Sequence, residues 1–212
     1  MYLNLYKSSM GLSNLLNRLY IAIVCGVISV SGTSIMADDE KHAEDHQHED
    51  HPVTGRKIPS PGPDDIHKFL KVDEENKKVT LPVMATYNDA NYGMNFNGHH
   101  RGQAIYTIPK DWKVTIQFQN LSPVPHSAVV VEKVMVRKLQ VGEPYFEGAA
   151  SKEPLKGLVK KDEFSFTVDE AGKFAIACGF PAHAASGHWI ALNVSKSEPL
   201  PKLEFKTDST GN

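Results

Sequence analysis

The sequence predicts an all-β domain, a Greek-key β-sandwich of about seven or eight strands with one long flap connection over residues 133–161. Three observations carry this. Seven short segments are rich in β-branched and aromatic residues, turn-forming residues separate them, and no stretch holds the apolar period of a long amphipathic helix. In order, the segments are 77–85 (KKVTLPVMA), 103–108 (QAIYTI), 113–119 (KVTIQFQ), 127–132 (SAVVVE), 163–168 (EFSFTV), 172–177 (GKFAIA) and 188–194 (HWIALNV). Asn97-Gly98, Pro109-Lys110-Asp111, Ser122-Pro123 and Glu170-Ala171-Gly172 supply turns between them. The exception is 133–161, where Pro144, Gly148, Pro154 and Gly157 break any regular element; a connection of that length is expected to wrap the sandwich as an ordered flap.

The domain does not begin at the first residue. Residues 1–18 carry Lys7 and Arg18 without an acid, and residues 19–30 (LYIAIVCGVISV) are apolar, followed by small residues to Ala37. This is the layout of an export signal, and residues 1–37 read as a signal peptide or an N-terminal membrane anchor. Polar residues dilute the stretch below a full spanning helix, while Ile35 spoils the cleavage site, so removal and retention both stay open. Residues 38–63 form an acidic, His- and Pro-rich linker containing His42, His46, His48 and His51, which reads as a spacer with incidental metal affinity. The domain is expected over 64–200, with a C-terminal tail over 201–212. A formal net charge of −2 offers no bulk basic field for nucleic acid. Cys25 lies in the N-terminal apolar stretch, so Cys178 has no disulfide partner within the domain.

Chemistry concentrates in residues 178–189 (CGFPAHAASGHW), between two strand-like segments. A loop of this size can set a thiolate (Cys178) and two imidazoles (His183 and His188) around one ion. His126, 52 residues upstream at the start of another strand, can reach the same end of a sandwich. One thiolate, two imidazoles and a weaker fourth ligand make the mononuclear copper set of electron-transfer sites. One thiolate with three imidazoles is also an acceptable tetrahedral zinc site, so the residue types alone leave the metal open.

Over about 120 residues the chain resembles the cupredoxins, most closely their sulfocyanin-like branch. The resemblance rests on Met94-Asn-Phe-Asn-Gly98 with Gly102, Ile108-Pro-Lys-Asp-Trp112, the proline-flanked His126, Phe146-Glu-Gly-Ala-Ala150, Ala171-Gly172 and the loop 178–189. It implies a cupredoxin-like fold, one copper per chain cycling between Cu(I) and Cu(II), and the ligands His126, Cys178, His183 and His188, with no substrate chemistry. That branch carries Met where this chain has His188, which resembles the respiratory cupredoxins of acidophilic iron-oxidising bacteria that partner a cytochrome oxidase. A stronger axial donor is expected to weaken the copper–thiolate bond, to lower the potential, and to protonate and leave the metal in acid.

The same resemblance makes Ser127 a tie between the ligand loops and sets Phe96 and Asn97 beside the site. Phe180, Pro181 and Ala182 become the apolar docking patch around His183, the electron port. His99 and His100 are expected to be solvated, and Trp112 and Trp189 to be core rather than relays. The implied role is single-electron transfer in a respiratory chain, between a cytochrome c and a terminal cytochrome oxidase, in the periplasm with attachment through the N-terminus or the oxidase. A copper-delivery protein for an oxidase copper centre, an enzyme with an open copper position and a zinc-stabilised binding module are the rival readings.

Overall fold

The computed structural model describes residues 56–206; the export segment, most of the linker with its four histidines, and the last residues lie outside that range. After a helical turn (Ile66–Phe69), the chain forms nine strands: β1 (Lys71–Asp73), β2 (Lys78–Ala85), β3 (Ala104–Pro109), β4 (Lys113–Asn120), β5 (Val129–Glu132), β6 (Lys161–Thr167), β7 (Gly172–Ala177), β8 (Trp189–Ser195) and β9 (Lys202–Phe205). One sheet runs β1-β2-β4-β6 and the other β5-β7-β8-β3-β9, and together they make the expected β-sandwich. Among the described residues no helix is long and apolar enough to cross a membrane.

Alternation builds the core. In β2, Val79, Leu81, Val83 and Ala85 point inward, and in β4 Val114, Ile116 and Phe118 do, each at most 2% exposed. They meet Tyr106, Ile108, Ile176, Ile190 and Leu192 of the second sheet. Trp112 is core, as expected. Full burial of a side chain of this size contributes about 1.5–3 kcal/mol, so the residues that carry the strand period also hold the sandwich shut.

The strand count needs correction. Neither three-residue β1 nor β9 has a period long enough to read from sequence, and Lys202–Phe205, expected in a tail, pairs antiparallel with β3. Leu203 is buried there, 3% exposed, which gives the pairing its apolar anchor. The end of the linker also packs: Ser60 Oγ–H donates to the Gly98 carbonyl at 2.6 Å, and Asn88 donates to the Ile58 carbonyl at 3.0 Å.

The flap is ordered. Val136, Val141, Phe146 and Ala149 are buried, and Ala150 forms a bridge with Val129 at the start of β5.

Candidate metal centre

Strand pairing explains why distant residues meet. In the neighbouring antiparallel strands β5, β7 and β8, Val129 pairs with Ala177 and Ala177 with Trp189, so the start of β5, the end of β7 and the start of β8 share one row. Beyond that row lie His126, Cys178 and His188, and the β7–β8 loop carries His183. The loop is tightly folded: Ser186 N–H donates to the Ala182 carbonyl and His188 N–H to the His183 carbonyl, both at 3.0 Å. Cys178 N–H donates to the His188 carbonyl at 3.0 Å and closes its base.

One ligand atom from each of His126, Cys178, His183 and His188 lies within 4.8 Å of the other three. Cys178 Sγ is 3.5 Å from His183 Nδ1 and 3.9 Å from His126 Nδ1. Cys178 and His188 are fully buried and His126 is 2% exposed, whereas His183 is half-buried. Phe96 lies over His188 with ring centroids 4.2 Å apart, so it does pack beside the site.

The donor set fits a metal. Both ring nitrogens of His188 are buried without a hydrogen-bond partner. An imidazole left so costs about 1–3 kcal/mol, a cost that coordination removes. His99, expected to be solvated, is by contrast 6% exposed and partnered, with Nε2 3.0 Å from the Pro61 carbonyl and its ring stacked on Phe205.

Burial sets the protonation of the cluster. It pushes the Cys178 thiol up to about 11. Burial first, then the charges of His183 and Lys160, hold His126 down to about 3. Burial alone lowers His183. His188 is held well below the ordinary imidazole value by its burial and then by His126 and His183. The release of His188 expected in acid is therefore opposed by its burial.

These imidazoles stay neutral in the fold but take up protons in the unfolded chain below about pH 6.5, so acid favours unfolding. The stability these neutral imidazoles contribute is full above that pH and is lost as pH falls toward about 3, where His126 begins to titrate in the fold. The slope is about 1.4 kcal/mol per pH unit for each fully buried imidazole, and less for half-exposed His183. Urea midpoints of the metal-free chain at pH 7, 6, 5 and 4 should fall steadily; an unchanged midpoint contradicts the buried neutral cluster.

Residues around the ligands tie the loops together. Ser127 Oγ–H donates to the Pro154 carbonyl at 2.7 Å while its oxygen accepts the Gly179 N–H at 2.9 Å, which joins the first ligand strand, the flap and the cysteine loop. Asn97, next to Phe96, ties this loop to β2. Its amide accepts the Met84 N–H at 2.8 Å and donates to the Pro82 carbonyl at 2.9 Å, completing the edge of β2 beyond the reach of short β1. Phe180, Pro181 and Ala182 are half-buried, and the Phe180 ring lies 4.7 Å from His183.

Sequence reasoning missed the part played by the flap. The Gly157 carbonyl accepts the His126 N–H at 3.0 Å, and the Leu139 carbonyl accepts the Ala182 N–H at 2.7 Å. It also missed the rim of the port. Tyr92, Met94, Val124 and Pro125 join Phe180 around His126 and His183 in a hollow of about 330 Å³.

Comparison with known proteins agrees with this site. A family profile described as the sulfocyanin (SoxE) domain matches residues 66–141 and 148–203. Sulfocyanin of Sulfolobus acidocaldarius is 24% identical over 141 residues, which cover 59% of this chain and 68% of that protein. Among solved structures, reduced auracyanin from Roseiflexus castenholzii is 21% identical with a TM-score of 0.38, covering 55% of this chain and 96% of that one. Rusticyanin from Thiobacillus ferrooxidans is 19% identical with a TM-score of 0.31, covering 59% and 86%. With a profile match over most of the domain and a buried cluster of one thiol and three imidazoles, the chain belongs to the sulfocyanin (SoxE) family of copper-binding, electron-transferring cupredoxins.

Proposed function

We propose that this protein is an exported single-electron carrier of a respiratory chain, working in the periplasm between a cytochrome c and a terminal cytochrome oxidase. It does not act as an enzyme. The observation that carries the reading is the contrast in exposure within one cluster. His126, Cys178 and His188 are buried, while His183 alone is half-exposed and opens on an apolar hollow. Bound copper supplies reversible one-electron chemistry between Cu(I) and Cu(II).

The chain's own residues supply the rest. Three strand ends and the flap hold the ligands in place before the ion arrives, which limits the rearrangement that a change of charge demands. Phe96 covers the buried His188 ring, and Phe180 packs against half-exposed His183. The apolar rim of Tyr92, Val124 and Phe180 suits a small, brief interface, the kind transient redox partners make. Burial of three of the four ligands supports retained copper over copper delivery. The N-terminal apolar stretch supports export and a position at the outer face of the inner membrane.

The test is metal content and the visible spectrum of the natively purified protein, oxidised and reduced, beside His188→Met. One copper per chain with an intense thiolate-to-copper band that bleaches on reduction supports the carrier. A band that moves in the Met variant makes His188 a ligand. Zinc, or no charge-transfer band, overturns the reading.

A further inference from the structure

The molecule has another hollow along the same sheet, which runs from Trp189 at the ligand end toward Lys173 and Glu132 at the far ends of β7 and β5, and its chemistry is unlike that of the His183 hollow. About 680 Å³ in volume, it is lined by Glu132, Lys133, Val134, Val136, Arg137, Lys173 and Trp189. Lys133, Arg137 and Lys173 are exposed, and among the described residues none of them forms an ion pair. Glu132 is the one carboxylate in the lining. The Lys133 ammonium lies 5.7 Å from the centre of the Trp189 ring, where the negative face of the ring steadies it. Val134, 62% exposed, adds an apolar contact at the edge.

The other hollows do not share this character. One mixes Glu74, Asp111 and Glu198 with Lys77, Lys110 and Lys196, and another sets Asp162 and Glu163 against Lys161. The hollow at His183 contains no carboxylate, lysine or arginine. Of these four hollows, the groove at Trp189 is the one with an unbalanced set of cations.

Its position matters as much as its charge. Trp189 directly follows His188 in sequence, and across the β7–β8 pair it faces Ala177, the neighbour of Cys178. Its ring packs against Gly102, where an added Cβ would stand 2.6 Å from the indole, and its carbonyl accepts the Gly102 N–H at 3.1 Å. The indole is thus fixed, half-exposed, next in sequence to His188 and across the strand pair from the neighbour of Cys178.

We propose that the Trp189 groove is a second docking face, which receives a carboxylate-rich surface of a redox partner protein. The inference rests on the carrier reading. It adds that the protein presents two faces of opposite chemistry, an apolar one over His183 and a cationic one over Trp189, so donor and acceptor are selected by different surfaces. Charge complementarity chooses the partner: three cations against one carboxylate favour an acidic surface and disfavour a basic one.

The test maps an anionic probe on the full chain. Hexacyanochromate(III), a paramagnetic, redox-inert trianion, is titrated into the isotope-labelled protein kept under reductant. Broadening is expected at the amides of Lys133, Arg137 and Lys173 and at the Trp189 indole N–H. In the triple variant Lys133→Gln, Arg137→Gln, Lys173→Gln, whose unchanged remaining spectrum reports the fold, the half-effect concentration should rise about tenfold. It should also rise with added salt. Broadening spread evenly over the exposed lysines, or unmoved in the variant, overturns the proposal. Binding to vesicles of anionic phospholipid that the same variant abolishes would assign the groove to a membrane surface and also overturn it. A protein without a copper band fails the carrier reading instead, and leaves this map unaffected.

Discussion

Gly157→Ala is expected to cost the protein about 2–5 kcal/mol and to disturb the metal site in the same stroke. Gly157 sits in the flap at φ +62°, where an added Cβ would stand 2.9 Å from the His126 backbone nitrogen and 3.2 Å from the carbonyl carbon and Cβ of Pro125. A left-handed backbone at a residue with a side chain costs about 1–2 kcal/mol, and forcing a methyl into packed atoms adds about 1–3 kcal/mol. Here the atoms in the way are mostly backbone, so no rotamer change relieves the clash. The Gly157 carbonyl also accepts the His126 N–H, so moving the flap moves the first ligand. Gly142→Ala is the matched comparison. Gly142 has φ +83°, yet its nearest atom is the flexible Met135 methyl at 3.5 Å. That variant should lose the backbone term alone, about 1–2 kcal/mol, and keep the wild-type visible spectrum. Urea unfolding of the two metal-free chains and the spectra of the copper-loaded ones decide the matter. Equal losses with equal spectra would mean that the flap is only a cover.

The flap also shows where the sequence stops being readable. The ligands were legible because thiol and imidazole are rare, metal-specific groups, and their spacing resolves once β5, β7 and β8 are known to be neighbours. The long strands were legible from their alternation: Val79, Leu81, Val83 and Ala85 mark an inward face without any structure. What could not be read is whatever depends on backbone atoms. Pro154, Gly157 and Leu139 hold the ligand loops through their carbonyls, a group every residue has, so no side-chain type marks them. Pro154 and Gly157 did stand out, but as breakers of regular structure, and the turn they make says nothing of what it leans on. β9 failed for a related reason. Only Leu203 of its four residues is buried, too little for a period, and its place beside β3 is fixed by tertiary packing. His99 misled in the opposite direction, because a loop histidine reads as solvated until Phe205 and Pro61 arrive from far along the chain.

Cys178→Ser carries the largest functional effect, and its outcome can be counted in protons. In the metal-free fold the thiol is protonated throughout the neutral range, because burial pushes it up to about 11. The three imidazoles around it are already neutral, since burial lowers each of them. Metal uptake needs a thiolate and neutral imidazoles, so between about pH 7 and 9 the wild-type chain should release close to one proton per ion, all of it from Cys178. Apparent affinity should accordingly rise about tenfold per pH unit over that window. Unstructured ligands would behave otherwise: below pH 6.5 their imidazoles would add to the release, whereas the buried cluster should hold the count near one down to about pH 5. Serine occupies nearly the same volume, and its hydroxyl can donate to the nearby Nδ1 of His126 or His183, so the fold should survive. That hydroxyl does not ionise, and the variant should release no proton, lose the charge-transfer band entirely and bind copper at least a thousandfold more weakly, about 4 kcal/mol. Calorimetric titration of the metal-free chain in buffers of different ionisation enthalpy gives the count directly. A release well above one proton near pH 6 would mean that the imidazoles are solvated before the metal arrives, and the preformed cluster would have to be abandoned.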